Sequence, residues 1–340
     1  MGYRVAVVIL NYNTREFLER FLPYVVTTDY DNLEIVVADN ASTDTSVQFV
    51  RFKYPWITVI QLDQNYGFTG GYNRALAQVK ADYYVLLNSD VEVNPHWIKP
   101  MVEMVKANPK IAAIQPKLLA YHDRQAFEYA GAAGGFIDKF GFPFCRGRIF
   151  DSLEKDQGQY QDARKVFWAS GAALFVHAPT YHAIGGLDED FFAHMEEIDL
   201  CWRLQNAGHE VWVCPESVVY HVGGGTLQKT NPRKTYYNFR NGLLLLIKNL
   251  PKGKVFTVIC MRLLLDHIAA YRFLFQGKVG DFKAIAAAHR HFLLHLKYWR
   301  SRRKVVNGNK AYYSEQVLKG SIVYKHFIKK CRIFGEVFKS

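Results

Sequence analysis

Four times in the first ninety residues an apolar run stops abruptly at asparagine or aspartate. RVAVVIL (Arg4–Leu10) gives way to Asn11 and Asn13, LEIVVA to Asp39 and Asn40, the ITVIQLDQN segment to Asn65, and YYVLL to Asn88 and Asp90. Continuous β-branched runs of this length predict strands covered on both faces. The stretches between them carry helical signals, the first with Thr14 as N-cap and Glu16 in its first turn. Strands alternating with helices predict a mostly parallel sheet, whose ligands bind beyond the carboxyl ends of the strands. One polar residue at such an end is ordinarily a turn residue. Four clusters converging on one edge describe a pocket.

The pocket has no GxxxxGK[ST] phosphate loop, and GFTGGYN (Gly67–Asn73) is not the GxGxxG dinucleotide pattern. Its glycines would let the backbone approach a ligand, and Gly70–Gly71 are expected just before a helix whose N-terminus favours phosphate.

The second half adds carboxylates. VFWASGAALFV (Val166–Val176) reads as a strand with a bulge at Ser170–Gly171, and MEEIDLCWRLQNAG as a helix ending at Gly208. Glu196, Asp199 and Arg203 share one helical face, with Glu197 beside it. Adjacent carboxylates next to Phe191 and Phe192 raise each other's proton affinity, as a general base near neutral pH requires. A solvated acidic first turn is the competing reading. His221 follows the strand-like EVWVCP and SVVY segments. Paired with Asp90 and a ligand's phosphate oxygens, it could complete a divalent-cation site. The glycine-rich segment Ala130–Arg148 is expected to be a mobile loop offering aromatics to a sugar and Lys139, Arg146 and Arg148 to phosphate.

Charge divides the 340-residue chain. Residues 1–227 hold 19 Lys and Arg against 27 Asp and Glu, net −8, whereas residues 228–340 hold 24 against 4, net +20. Such a basic segment calls for an anionic partner. Val255–Phe275 is long enough to span a bilayer, but Arg262, Asp266, His267 and Arg272 interrupt it. An amphipathic helix is expected instead, followed by a second whose Tyr298 and Trp299 act as interfacial anchors. Leucine-rich faces favour an anionic membrane surface over nucleic acid, with self-association left open. No signal peptide is expected, and five cysteines without CxxC spacing suggest reduced thiols in the cytoplasm.

In order, VVILNYN, VVADNASTD, NYGFTGGYNRA, LLNSDVEV, WASGAALFV, GGLDEDFFAHMEEIDLCWR and YHVGGGT resemble the inverting family 2 glycosyltransferases, in particular bacterial rhamnosyltransferases. The resemblance covers about residues 4–250 and implies an α/β GT-A nucleotide-diphospho-sugar transferase fold: a mostly parallel mixed sheet flanked by helices, with a C-terminal basic amphipathic helical region. It places a catalytic domain at 1–240, nucleotide-binding over 1–120 and acceptor-binding and catalytic over 121–240, and a basic helical region at 241–340.

By that resemblance Asn11, Asn13 and Asp39 serve the nucleotide, with Asp39 accepting from the pyrimidine N3–H. Asn65, Gly70, Gly71, Asn73 and Asn88 border the ribose and diphosphate. Asp90 and His221 hold Mg²⁺ or Mn²⁺, Trp168 and Asp199 lie on the acceptor side, and Glu197, with Glu196 as the alternative, is the base. Asn88 stands where the family has the first aspartate of DxD, and Glu197 where it has aspartate. The implied reaction moves a sugar, rhamnose among the candidates, from a UDP- or dTDP-linked donor to a glycan or polyprenyl-diphosphate-linked acceptor. It would occur at the inner face of the cell membrane in surface polysaccharide synthesis. A nucleotidyltransferase and a catalytically inactive nucleotide-sugar-binding membrane protein are the competing functions.

Overall fold

The computed structural model describes residues 2–223, 231–303 and 310–338. Three βα steps and a fourth strand open the chain: β1 (Val5–Asn11), α1 (Arg15–Val26), β2 (Leu33–Asp39), α2 (Ser46–Lys53), β3 (Thr58–Gln61), α3 (Gly67–Leu76) and β4 (Tyr83–Asn88). After β5 (Val91–Val93), α4 (Ile98–Ala107) and β6 (Ile111–Ala120) come four short strands, β7 (Gly135–Asp138), β8 (Pro143–Cys145), β9 (Arg148–Ile149) and β10 (Ser152–Leu153). β11 (Arg164–Lys165), β12 (Ala173–His177), α5 (Ala178–Ala183), α6 (Glu196–Asn206) and β13 (Glu210–His221) complete the sheet region. The remainder is helical: α7 (Pro232–Asn249), α8 (Val255–Phe275), α9 (Val279–Leu294), α10 (Leu296–Ser301), α11 (Ile322–Phe327) and α12 (Phe334–Val337), with the short β14 (Val317–Leu318).

The main sheet runs β11-β13-β6-β12-β4-β1-β2-β3, with β5 paired to β13. β4, β1, β2 and β3 are parallel, and β12 enters antiparallel between β4 and β6. Side chains of β1 alternate between two cores. Val5, Val7 and Ile9 pack with Leu18, Leu22, Trp97 and Met101 of α1 and α4, and Ala6 and Val8 pack toward α3 and α6. Burial on both faces is why β1 and β4 stay apolar until they stop. Register then aligns those ends, setting Asn11 beside Asp39 and Leu10 beside Asn88.

Several expectations change. Thr14 caps α1 by position, but its hydroxyl donates to Asn11 Oδ1 at 2.6 Å. α3 begins at Gly67, whose φ of +69° makes the entering turn, so Gly70 and Gly71 lie inside the helix. There they permit close packing: a Cβ on Gly71 would stand 2.9 Å from Leu10. The strand expected over Val166–Val176 is ordered only from Ala173, as β12. The expected mobile loop 130–148 is instead part of a second sheet, β10-β9-β8-β7-β14. Its glycines answer to packing, since a Cβ on Gly135 would fall 2.1 Å from the Trp168 ring. Arg146 is buried in an ion pair with Asp162, and Arg148 is buried over the Tyr129 ring, so neither reaches toward a free phosphate. The expected division between residues 240 and 241 falls in the middle of α7.

Candidate functional site

Asn11, at the end of β1, donates to Asp39 Oδ1 at 2.8 Å, and the Ser42 N–H donates to Asp39 Oδ2 at 3.0 Å. Ser42 Oγ accepts from the Asn13 N–H, while Asn13 Oδ1 accepts from the Thr43 N–H at 2.7 Å. Asp39 is buried and thereby held in one orientation. Asn40 Oδ1 accepts from the Tyr66 N–H, and its amide donates to Asn65 Oδ1 and to the Gly67 carbonyl, tying the β2 end to the start of α3. Asn73 lies one turn further and faces away from this edge. Its amide donates to the Leu187 carbonyl at 2.8 Å, and its oxygen accepts from Tyr181 and the Leu187 N–H.

The next corner is anionic. Val91 pairs with His221 across β5 and β13, which sets Asp90 Oδ1 3.1 Å from His221 Nε2. Asn88 Nδ2 is 3.4 Å from the same nitrogen. On the other side of the ring, Glu128 Oε1 lies 3.4 Å from His221 Nδ1. All three of Asp90, Glu128 and His221 are buried. Burial opposes the imidazolium, but the Glu128 and Asp90 carboxylates outweigh it and raise His221 to about 10. Burial likewise opposes ionised Asp90, and the His221 charge more than compensates, lowering its pKa.

This corner suits a divalent ion. An oxygen and a nitrogen 3.1 Å apart match neighbouring ligands on an octahedron with bonds of about 2.1 Å. A carboxylate behind the imidazole is the usual partner that orients a metal-bound histidine. Among the described residues no cluster of three His, Cys, Asp or Glu side chains forms a complete cage, so substrate oxygens would have to supply further ligands. Glu128 has no signature in the sequence, because 93 residues separate it from His221.

The tandem glutamates open α6. The backbone enters that helix through Phe192, His194 and Met195 at φ of 64°, 69° and 72°, a left-handed run without glycine. Asn241 of α7 holds it. The buried Asn241 amide donates to the carbonyls of Phe191, Ala193 and His194 at 3.0, 2.8 and 2.7 Å. Arg240 donates to the Asp190 and Phe191 carbonyls. Glu196 is buried and Glu197 half-buried, and each leaves its Oε2 without a hydrogen-bond partner. Burial raises both carboxyls above their ordinary range, and the Glu197 charge raises Glu196 further. Glu197 Cβ lies 3.8 Å from the Cβ position of Gly171, and Asn88 at the β4 end donates its N–H to the carbonyl of Ala172, the next residue. The glutamates therefore face the segment that ends β4. Buried Cys145 lies close enough to Glu128 and Glu197 that both raise its thiol, beyond the effect of burial.

The model of the family described as Glycosyl transferase family 2 matches residues 6–155. Over those residues the chain is similar to the family 2 glycosyl transferases. It is 27% identical over 239 residues to a Mycobacterium tuberculosis protein named N-acetylglucosaminyl-diphospho-decaprenol L-rhamnosyltransferase, covering 65% of this chain and 76% of that one. Escherichia coli K12 rhamnosyltransferase WbbL is 23% identical, with 64% and 83% covered. Among solved structures, S. aureus TarS in complex with UDP-GlcNAc superposes with a TM-score of 0.58 at 15% identity, covering 92% and 89%. The mannosyltransferase PcManGT from Pyrobaculum calidifontis, in complex with GDP-Man and Mn²⁺, gives 0.54 at 15% identity, covering 97% and 89%. These neighbours share the GT-A fold.

Two residues expected on the acceptor side are engaged inside the fold. Trp168 is buried and donates to the Phe136 carbonyl at 3.0 Å. Asp199 is buried between Arg203 Nε and Asn249 Nδ2, both at 2.7 Å. Nothing in their local spacing distinguishes an aromatic or an acid that packs from one that binds. Gly224–Thr226 of the YHVGGGT motif lie outside the described residues.

Two outcomes follow from the glutamate loop. Asn241→Ala leaves the Ala193 and His194 carbonyls short of a buried donor, while the Phe191 carbonyl keeps Arg240, at about 1–3 kcal/mol for each one left unsatisfied. It should slow transfer far more than it weakens donor binding, checked by kcat beside a nucleotide titration. Glu196→Gln tests the buried carboxyl. The folded state holds its proton to higher pH than the unfolded chain, so the stability this group contributes is present under acid conditions and fades as pH rises through its raised pKa. The substitution should therefore raise Tm at about pH 8 and change it little at about pH 4. Thermal melts at both pH values decide this.

Proposed function

We propose that the protein transfers a sugar from a nucleotide diphosphate donor to an acceptor hydroxyl with inversion, in building a surface polysaccharide. The observation that carries this reading is the shared edge where the Asn11–Asp39 network, the Asp90–His221 corner and the Glu196–Glu197 pair meet. Asp39 is placed to read the base through its carboxylate, held by Asn11 and Ser42. Asp90 and His221 would hold Mg²⁺ or Mn²⁺, with Glu128 orienting the imidazole. When bound, such an ion offsets charge developing on the leaving diphosphate. The PcManGT and GalNAc-T7 structures both contain Mn²⁺, which supports a divalent ion in this fold.

Glu197 is the better placed base. Burial raises its carboxyl to about 7, where it can still take a proton under neutral conditions. Burial and the Glu197 charge also raise the more buried Glu196, which lies beside it. Glu197 takes the proton of the acceptor hydroxyl as that oxygen attacks the anomeric carbon, and the nucleoside diphosphate leaves from the opposite face. One displacement inverts the centre. The rhamnosyltransferase names of two relatives make a deoxyhexose donor and a polyprenyl-diphosphate acceptor the leading candidates.

A thermal-shift series of UDP-, dTDP- and GDP-sugars with and without Mn²⁺ tests the assignment. Stabilisation grows as RT ln(1 + [L]/Kd), so the cognate nucleotide gives the largest shift. Absence of any shift, with or without the ion, would remove the donor site on which the reading rests.

A further inference from the structure

α8 is built inside out. Its charged residues Arg262 and Asp266 point into the protein, where Arg262 Nε donates to Asp266 Oδ1 at 2.8 Å and its guanidinium stacks 3.8 Å from the Phe142 ring centre. His289 of α9 lies 3.4 Å from the other Asp266 oxygen. Two of the four groups that speak against membrane contact in the sequence, Arg262 and Asp266, are thus on the protein side, whereas His267 and Arg272 are exposed. Outward, the helix presents Phe256, Leu264, Ile268, Tyr271 and Phe275, between 53% and 87% exposed, along about 32 Å. Among the described residues no helix is long and apolar enough to cross a membrane.

The charges around this stripe have one sign. Lys252, Lys254, Arg272 and Lys278 are exposed at its ends and edge, and Lys283 and Arg290 are exposed on α9. The acids nearby are withdrawn: Asp266 is buried, and Asp281 is half-buried and accepts from Thr235 at 2.5 Å. A groove of about 570 Å³ continues the surface, lined in part by Phe282, Lys283, Arg290 and Leu294. Trp299, expected as an interfacial anchor, is buried and takes no part, while the Tyr298 hydroxyl donates to Asp190.

We infer that the outer face of α8 lies in the plane of an anionic phospholipid leaflet, its apolar stripe sunk among the acyl chains and its flanking lysines at the phosphates. A second copy of the chain fits the stripe poorly, because pairing would bring the same cations together. The inference rests on α8 alone and stands whether or not the active site transfers sugar.

Sedimentation of the full chain with phosphatidylcholine vesicles, with and without phosphatidylglycerol, tests it. Wild type should pellet with the anionic vesicles. Leu264→Glu/Ile268→Glu should bind them about a hundredfold more weakly, with an unchanged melting temperature. Lys252→Glu/Lys254→Glu/Lys278→Glu should lose about fivefold per lysine and only on anionic vesicles. That second variant carries the test alone if the first does not fold. Wild type remaining in the supernatant with both vesicle types would overturn the inference, as would variants that pellet like wild type. A wild-type dimer that the glutamate variant converts to monomer, without vesicle binding, would assign the face to a second copy.

Discussion

Glu197→Gln is expected to reduce sugar transfer by about 10²–10⁴-fold while donor binding stays unchanged. The amide keeps the shape of the side chain and removes its ability to accept the hydroxyl proton. A donor titration by thermal shift, run beside initial-rate measurements, separates the two effects. The pH profile supplies an independent check, because Glu197 acts only when ionised. With its carboxyl raised to about 7, the rate should fall about tenfold per pH unit below that value. An acid limb centred in the ordinary carboxylate range would count against it. Should Glu197→Gln keep wild-type turnover while Glu196→Gln loses it, the proton goes to Glu196.

Asp90→Asn should be nearly as damaging, for a different reason. It removes the charged one of the two side chains proposed to hold a divalent ion and leaves the His221–Glu128 pair standing. Loss of an interaction worth several kcal/mol at the leaving group predicts a fall of about 10²–10³-fold in kcat/KM. Binding of the diphosphate nucleotide should lose its Mn²⁺ dependence, while binding of the nucleoside monophosphate hardly changes. Retention of full Mn²⁺ dependence by the variant would move the ion elsewhere.

Much of the nucleotide half was legible because burial on both faces leaves a strand no freedom to mix polar with apolar residues. In β1 and β4 the first polar residue therefore marks the carboxyl end of the strand, where register sets Asn11 beside Asp39 and Leu10 beside Asn88. The second half obscures itself. Strands of two to four residues, such as β7 to β10, are too short to show a period, so a packed sheet resembles a glycine-rich loop. Trp168, Asp199 and Arg146 carry the chemistry of binding residues, yet each is used up by a partner distant in sequence. Glu128 and Asn241 gave no signal at all, since what each does depends on a contact made only after folding. On α8 an i,i+4 ion pair turns Arg262 and Asp266 to the protein side, a placement that charge counted along the chain does not show.

The path of α7 has a consequence for anyone exchanging parts between relatives. Arg240 and Asn241 are neighbours on one unbroken helix, and both hold the turn that delivers the glutamates. Further along, Lys248 reaches Asp188 and Asp190, and Arg302, just past α10, reaches Asp190 from the other side. A chimera joined at residue 240 would splice a foreign grip onto a native turn. A seam after Leu250 keeps Arg240, Asn241 and Lys248 with the turn they hold, and leaves the Tyr298 and Arg302 contacts to Asp190 and the Arg303 bonds to Ile247 and Leu250 among those the incoming segment must rebuild.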